Sequence, residues 1–183
     1  RAGYSPDKIV FDGNGKTLAE IRQALEAGIY AINVDSENEL RVLEQAAKEM
    51  GVRARIGLRV NPDVNPETHP KIATGLKTTK FGVDLTKALS CYEYASKSAH
   101  LHIVGIQTHI GSQILKVEPF AEAFGKLVDI TLALRERGIE LEFIDVGGGL
   151  GIQYNDEVPP TYEAYIAALR PHWERCPLRI VTE

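Results

Sequence analysis

Cysteine is scarce in this sequence: Cys91 and Cys176 are the two among 183 residues. They lie far apart and form no CxxC pair. Neither a disulfide framework nor a cysteine-built metal site is expected, and a reducing, cytoplasmic setting is. No apolar run approaches the roughly 20 residues that cross a bilayer, so no membrane span is expected. Positive charge is not in surplus: the net charge of −4 gives no electrostatic reason for a nucleic-acid or anionic-membrane partner. Short repeats, low-complexity tracts and internal linkers are missing too. What remains, 44% hydrophobic and 25% charged residues, is the composition of one globular domain with a sizeable core.

Short apolar runs alternate with longer amphipathic stretches. Strands are expected over 8–12 (KIVFD), 29–34 (IYAINV), 55–60 (RIGLRV), 102–109 (HIVGIQTH), 141–146 (LEFIDV) and in the final run 179–183. Helices are expected over 17–27, 37–50, 85–98, 117–137 and 162–170. Ser36 reads as an N-cap with Glu39 as its capping-box partner, and Gly51 and Gly138 read as helix stops. The polar stretch 63–80 carries no clear pattern, and stretches this long are uncommon in compact domains and often functional. Strand–helix alternation repeated about six times means parallel strands joined by helical crossovers. The solutions are an open doubly wound sheet or a closed barrel. The strands are short and evenly spaced, and no GxGxxG follows the first. The expected fold is therefore α/β, a partial (β/α)8 TIM-like barrel with about six of the eight units. Because the chain opens on Arg1 and stops within a strand, residues 1–183 are expected to be a barrel domain truncated at both ends.

In such a barrel the chemistry sits at the carboxyl ends of the strands. Those ends are Asp12-Gly13-Asn14-Gly15-Lys16, Asp35-Ser36, Arg59 with Asn61, His109-Ile110-Gly111-Ser112-Gln113, Gly147-Gly148-Gly149, and Glu183. The triple glycine removes every side chain, so backbone N–H groups can approach an anion; otherwise it is a flexible turn. His109 can stack on a flat ring or exchange protons, Gly111 permits a tight turn, and Ser112 offers a hydroxyl. Arg59 lies in an apolar strand, where an unpaired charge is costly, so it needs either a structural acid or an anionic ligand. Glu183, at a strand tip, must likewise face something cationic. Asp35 is ambiguous, and Asp145 reads either as functional or as a brace for the glycine loop. His69, His100, His102 and His172 have no comparable context. Gly13-Asn14-Gly15-Lys16-Thr17 mimics the end of a P-loop, but Val10 stands where the pattern requires glycine, leaving at most a weak anion site.

Several segments in order carry a resemblance. They are Phe11-Asp12-Gly13-Asn14-Gly15-Lys16, Ile32-Asn33-Val34-Asp35-Ser36, Leu58-Arg59-Val60-Asn61-Pro62, His69-Pro70, Thr74-Gly75-Leu76-Lys77 with Lys80-Phe81-Gly82, His109-Ile110-Gly111-Ser112-Gln113, Asp145-Val146-Gly147-Gly148-Gly149-Leu150-Gly151 and Thr182-Glu183. Together they resemble the fold-type III pyridoxal-phosphate decarboxylases, whose barrel is alanine-racemase-like. The TGLK…KFG stretch and the glutamine of HIGSQ favour the diaminopimelate decarboxylase branch over the ornithine branch.

The resemblance implies pyridoxal 5'-phosphate as cofactor, an amino acid as substrate, and decarboxylation of meso-2,6-diaminopimelate to L-lysine in the full-length protein. It implies that His109 stacks on the ring and that Ser112 and the backbone of Gly147, Gly148 and Gly149 hold the phosphate. Arg59 would lie near the phenolic oxygen and Glu183 opposite the pyridine nitrogen, with His109 and Glu183 as the catalytic pair. A carboxylate there keeps the nitrogen protonated and the ring a stronger electron sink. The family's Schiff-base lysine and its C-terminal β-domain have no match in these residues, so the chain alone is expected to be inactive. A homodimer is implied, since the family completes its site with a partner subunit. Ornithine- or arginine-type decarboxylation and non-catalytic binding of the cofactor are the alternatives.

Overall fold

A computed structural model describes residues 3–66 and 81–183. Seven strands and five α-helices follow in the order β1 (Val10–Phe11), α1 (Leu18–Ala27), β2 (Ala31–Val34), α2 (Glu37–Met50), β3 (Ala54–Asn61), β4 (Val83–Asp84), α3 (Leu85–Ser96), β5 (Leu101–Gln107), α4 (Glu118–Arg135), β6 (Phe143–Asp145), α5 (Tyr162–Trp173) and β7 (Arg179–Val181). Every strand pairing is parallel, in the spatial order β1-β2-β3-β5-β6-β7, with β4 added to the end of β3. The main strands keep their chain order without reversal, so the described residues contain no switch point of the doubly wound kind. The architecture is a partial (β/α)8 barrel, as expected.

Local chemistry starts and stops the helices. Thr17 and Glu20 form a complete capping box on α1, which ends at Gly28 in the left-handed region (φ 62°). Ser36 accepts the Glu39 N–H on α2 at 3.1 Å. The expected return contact from Glu39 does not form, because its carboxylate binds Lys16 Nζ at 2.7 Å instead. Two other elements differ from expectation. The two-residue β4 has no readable period. Helix α5 continues through Pro171 to Trp173 because His172 packs edge-on against Phe124 and over Gly125, where a Cβ would come within 2.8 Å of the imidazole. That tertiary contact outweighs the missing Pro171 N–H.

The two faces of the sheet have different contents. Ile32, Val34, Ile56, Leu58, Ile106 and Ile144 pack outward against Ile21, Leu43, Phe124, Leu127 and Leu134 of the helices, forming the main core. Each such burial contributes about 1.5–3 kcal/mol. The concave face holds a small apolar cluster of Ala31, Val104 and Phe143. Gly57 and Gly105 face each other in register there. A Cβ on Gly105 would lie 2.2 Å from the Phe143 ring, and one on Gly57 would lie 2.3 Å from Asn33 Oδ1. The glycines make room for the larger groups that fill the lumen. Curvature shows directly: Asn33 of β2 donates to Asp145 of β6 at 3.0 Å, although β3 and β5 lie between those strands.

Candidate functional site

The polar strand ends do meet on the concave side. Gln107 of β5 aligns with Arg59 on one neighbour and Asp145 on the other. Just beyond this row, Gln107 Nε2 donates to Glu183 Oε1 at 3.0 Å, and Glu183 Oε2 lies 3.2 Å from His109 Nδ1. The His109 and Glu183 side chains retain 21% and 33% of their exposure, so this pair is open to a ligand. Burial raises the Glu183 carboxyl, but the His109 hydrogen bond and charge, with Gln107, outweigh it and hold its pKa below the ordinary value.

The glycine loop is not a loose turn. A Cβ at Gly147 would lie 2.4 Å from the Thr108 carbonyl oxygen, one at Gly148 would lie 2.9 Å from that of Glu183, and one at Gly149 would lie 1.9 Å from that of Gly111. The loop is wedged between the ends of β5 and β7, and only bare backbone fits. Of its donors, Gly147 N–H binds Asp145 Oδ1 at 3.0 Å, whereas Gly148 N–H lies 3.4 Å from His109 Nδ1, the nitrogen that donates toward Glu183 Oε2 at 3.2 Å. Gly147 therefore serves shape, while the Gly148 contact is long enough to yield to a better acceptor. Ser112 is exposed beside Gly149. Gln113, at φ 55°, binds Ile152 through both ends of its amide and staples the β5 loop to the segment after the glycines.

Arg59 has the structural partner its burial demanded. Its guanidinium lies 3.2 Å from Asp35 Oδ1, donates to Asn14 Oδ1 at 3.0 Å and sits 5.7 Å from the Phe81 ring centre. Lys16 is buried between the Gly13 carbonyl and Glu39, which excludes the weak anion site at the P-loop mimic.

Acids outnumber bases at this end. Burial and the neighbouring Glu183 charge raise the Asp12 carboxyl against the pull of Arg59 and Lys16. Burial pushes Asp145 up to about 7, opposed by the Gly147 N–H and reinforced by the Glu183 and Asp12 charges. Four buried side-chain atoms have neither a hydrogen-bond nor an ion-pair partner among the described residues: Asp12 Oδ1, Asn33 Oδ1, Gln107 Oε1 and Thr108 Oγ1; Asp35 Oδ1 has the Arg59 ion pair alone. All belong to this end of the barrel, and such groups are rare unless something else satisfies them. Sequence reasoning passed over Asn33 and Gln107. Their signal was an amide inside an apolar strand, near its carboxyl end. The expected contributions of His69-Pro70, Thr74–Lys77 and Lys80 lie outside the described residues.

A family model described as "Pyridoxal-dependent decarboxylase, pyridoxal binding domain" matches residues 1–183. The chain belongs to the pyridoxal-dependent decarboxylases. Among relatives, it is 44% identical over 182 residues to diaminopimelate decarboxylase of Pseudomonas aeruginosa, covering 100% of this chain and 44% of that protein. It is 50% identical over 157 residues to that of Aquifex aeolicus, covering 86% of this chain and 37% of the relative. The crystal structure of diaminopimelate decarboxylase from Helicobacter pylori complexed with L-lysine superposes with a TM-score of 0.96 at 43% identity, over 100% of this chain and 46% of that one. The chain thus spans less than half the length of these decarboxylases. Pyridoxal phosphate, the family's cofactor, fits the residues present. A side-chain-free loop borders a half-open imidazole–carboxylate pair, with under-satisfied polar atoms beneath.

Proposed function

We propose that this chain is the cofactor-binding barrel of a diaminopimelate decarboxylase. With a C-terminal domain, and as a homodimer, it would convert meso-2,6-diaminopimelate to L-lysine and carbon dioxide. The observation that carries the reading is 44% identity sustained over 182 residues with a protein of that name; the lysine-bound relative supports the product. In this reading Gly148, Gly149 and Ser112 would hold the phosphate, and His109 and Arg59 would contact the ring. Pyridoxal phosphate supplies a ring that accepts the electron pair left on the substrate carbon when carbon dioxide departs. Glu183 would offer a negative charge to the ring nitrogen, and Gln107 and His109 hold that charge by lowering the carboxyl's proton affinity. Arg59, held by Asp35, keeps a fixed positive charge at the far side of the row. Free, buried Cys91 and Cys176 suit a cytoplasmic setting.

The test is turnover by the full-length protein of diaminopimelate, ornithine and arginine in parallel. Lysine and carbon dioxide from diaminopimelate are expected. Turnover of ornithine or arginine without lysine formation would overturn the substrate assignment, and sedimentation of the holoenzyme checks the dimer.

A further inference from the structure

We propose that Asn33 and Asp145 form a positioning pair. They reach across the barrel lumen and set the glycine loop in the shape that takes the cofactor's phosphate. The inference rests on the reading of Gly147–Gly149 as the phosphate loop. Its geometry is a continuous chain of contacts. Gly57 of β3, by lacking a Cβ, leaves space for the Asn33 carbonyl oxygen. The other end of that amide, Nδ2, donates to Asp145 Oδ2 at 3.0 Å. Asp145 Oδ1 in turn accepts the Gly147 N–H at 3.0 Å. The opposite edge of Gly147 is held as well, because its carbonyl accepts the Glu183 N–H at 3.1 Å. Gly147 is thus gripped on both edges, and the peptide that follows presents Gly148 N–H toward His109.

The pair is fully enclosed: Asn33 and Asp145 are 0% and 1% exposed. A carboxylate is costly to bury, and an alanine or valine would fill the lumen of a simple scaffold more cheaply. Phe143, two residues before Asp145, already shows the apolar solution on the same face. What the polar pair adds is direction: an acceptor, ionised at the pH 8 of the test below, whose position is set by β2 and whose second oxygen selects one orientation of the Gly147 peptide. Hydrogen bonds to charged groups are the strong ones, so the loop's shape is dictated from the far side of the barrel. Neither residue need touch the cofactor.

The experiment compares affinity for pyridoxal phosphate and for pyridoxal, which lacks the phosphate, in full-length apoprotein at pH 8. The unaltered protein should prefer the phosphorylated form. Asp145→Ala should weaken pyridoxal phosphate binding about 10- to 100-fold while changing pyridoxal binding no more than about 2-fold. Asn33→Ala should act in the same direction, about 3- to 10-fold, and serves if Asp145→Ala does not fold. The exchanged pair, Asn33→Asp with Asp145→Asn, keeps these two contacts with the roles reversed, sets a second carboxylate beside Asp12, and should recover part of the loss. Equal loss for both ligands, or an exchanged pair no better than the single variants, would overturn the positioning role. An unaltered protein that binds both ligands equally would overturn it by a different route, by removing the phosphate loop itself.

Discussion

The two ends of the concave face are built from similar residue types and differ in how completely they are satisfied. At the amino end, Glu142 receives Arg55 Nη2 at 2.7 Å and the Tyr30 hydroxyl at 3.0 Å. Arg55 also donates to the Tyr30 carbonyl at 2.8 Å and, with Arg179, lies over the Tyr30 ring at 4.8 and 5.5 Å. Burial would raise the Glu142 carboxyl, but Arg55 and Tyr30 outweigh it and keep it charged. None of the unpartnered buried atoms found among the described residues falls at this end. At the carboxyl end, Asp12, Asp35, Asp145 and Glu183 face Arg59 and Lys16, and all four unpartnered atoms gather there. One end is sealed by contacts that complete themselves. The other holds polar groups arranged for something additional, and it carries the cost in stability.

Three substitutions probe that difference. Gly149→Ala should have the largest effect. Its Cβ would lie 1.9 Å from the Gly111 carbonyl oxygen at φ 97°, so a loss of roughly 3–5 kcal/mol and of cofactor retention is expected in thermal melts and absorbance titrations. Retention of the cofactor would show that the loop can be rebuilt. Asp145→Asn should change the pH dependence of stability. The wild-type carboxyl rises from 3.8 to about 7 on folding. The folded state therefore binds the extra proton between these values, and stability is fullest below the lower value and falls as pH rises toward the upper one. The slope is at most about 1.4 kcal/mol per pH unit. The variant should lose this slope, read as the difference between its melting profile and that of the wild type. The smallest effect belongs to Glu142→Gln at the amino end. Its side chain is half exposed and that of Arg55 about one-third, so less than about 1 kcal/mol is expected, with cofactor affinity unchanged. A large loss of cofactor affinity there would dissolve the distinction between the two ends.

The fold was readable because alternation of strand and helix is a local pattern, and all six strands of the main sheet appear where the apolar runs lie. Their ends shifted for local reasons: β1 shortens to Val10–Phe11 because Pro6–Lys8 forms a 3-10 turn, with Lys8 N–H bonded to the Ser5 carbonyl. The rim residues His109, Arg59 and Glu183 were legible as polar groups on strand tips. Asp145 was legible as a brace, but its partner was not. Asn33 lies 112 positions away along the chain, and within IYAINV it reads as one polar residue among apolar ones. Only curling the sheet brings the two together. The same holds for Gly57 and Gly105, whose purpose depends on which side chains cross the lumen above them.

The contact between Gly149 and Gly111 also bears on how this barrel can be altered. Ile114 N–H binds the Gly149 carbonyl, Gly151 N–H binds the Ile114 carbonyl, and Gln113 closes on Ile152. Segments 108–114 and 147–152 are therefore one structural unit written in two places. A graft that carries one of them from a distant homologue without the other would import a mismatched half. Chimaeras of this barrel should fold only at crossovers that move both segments together.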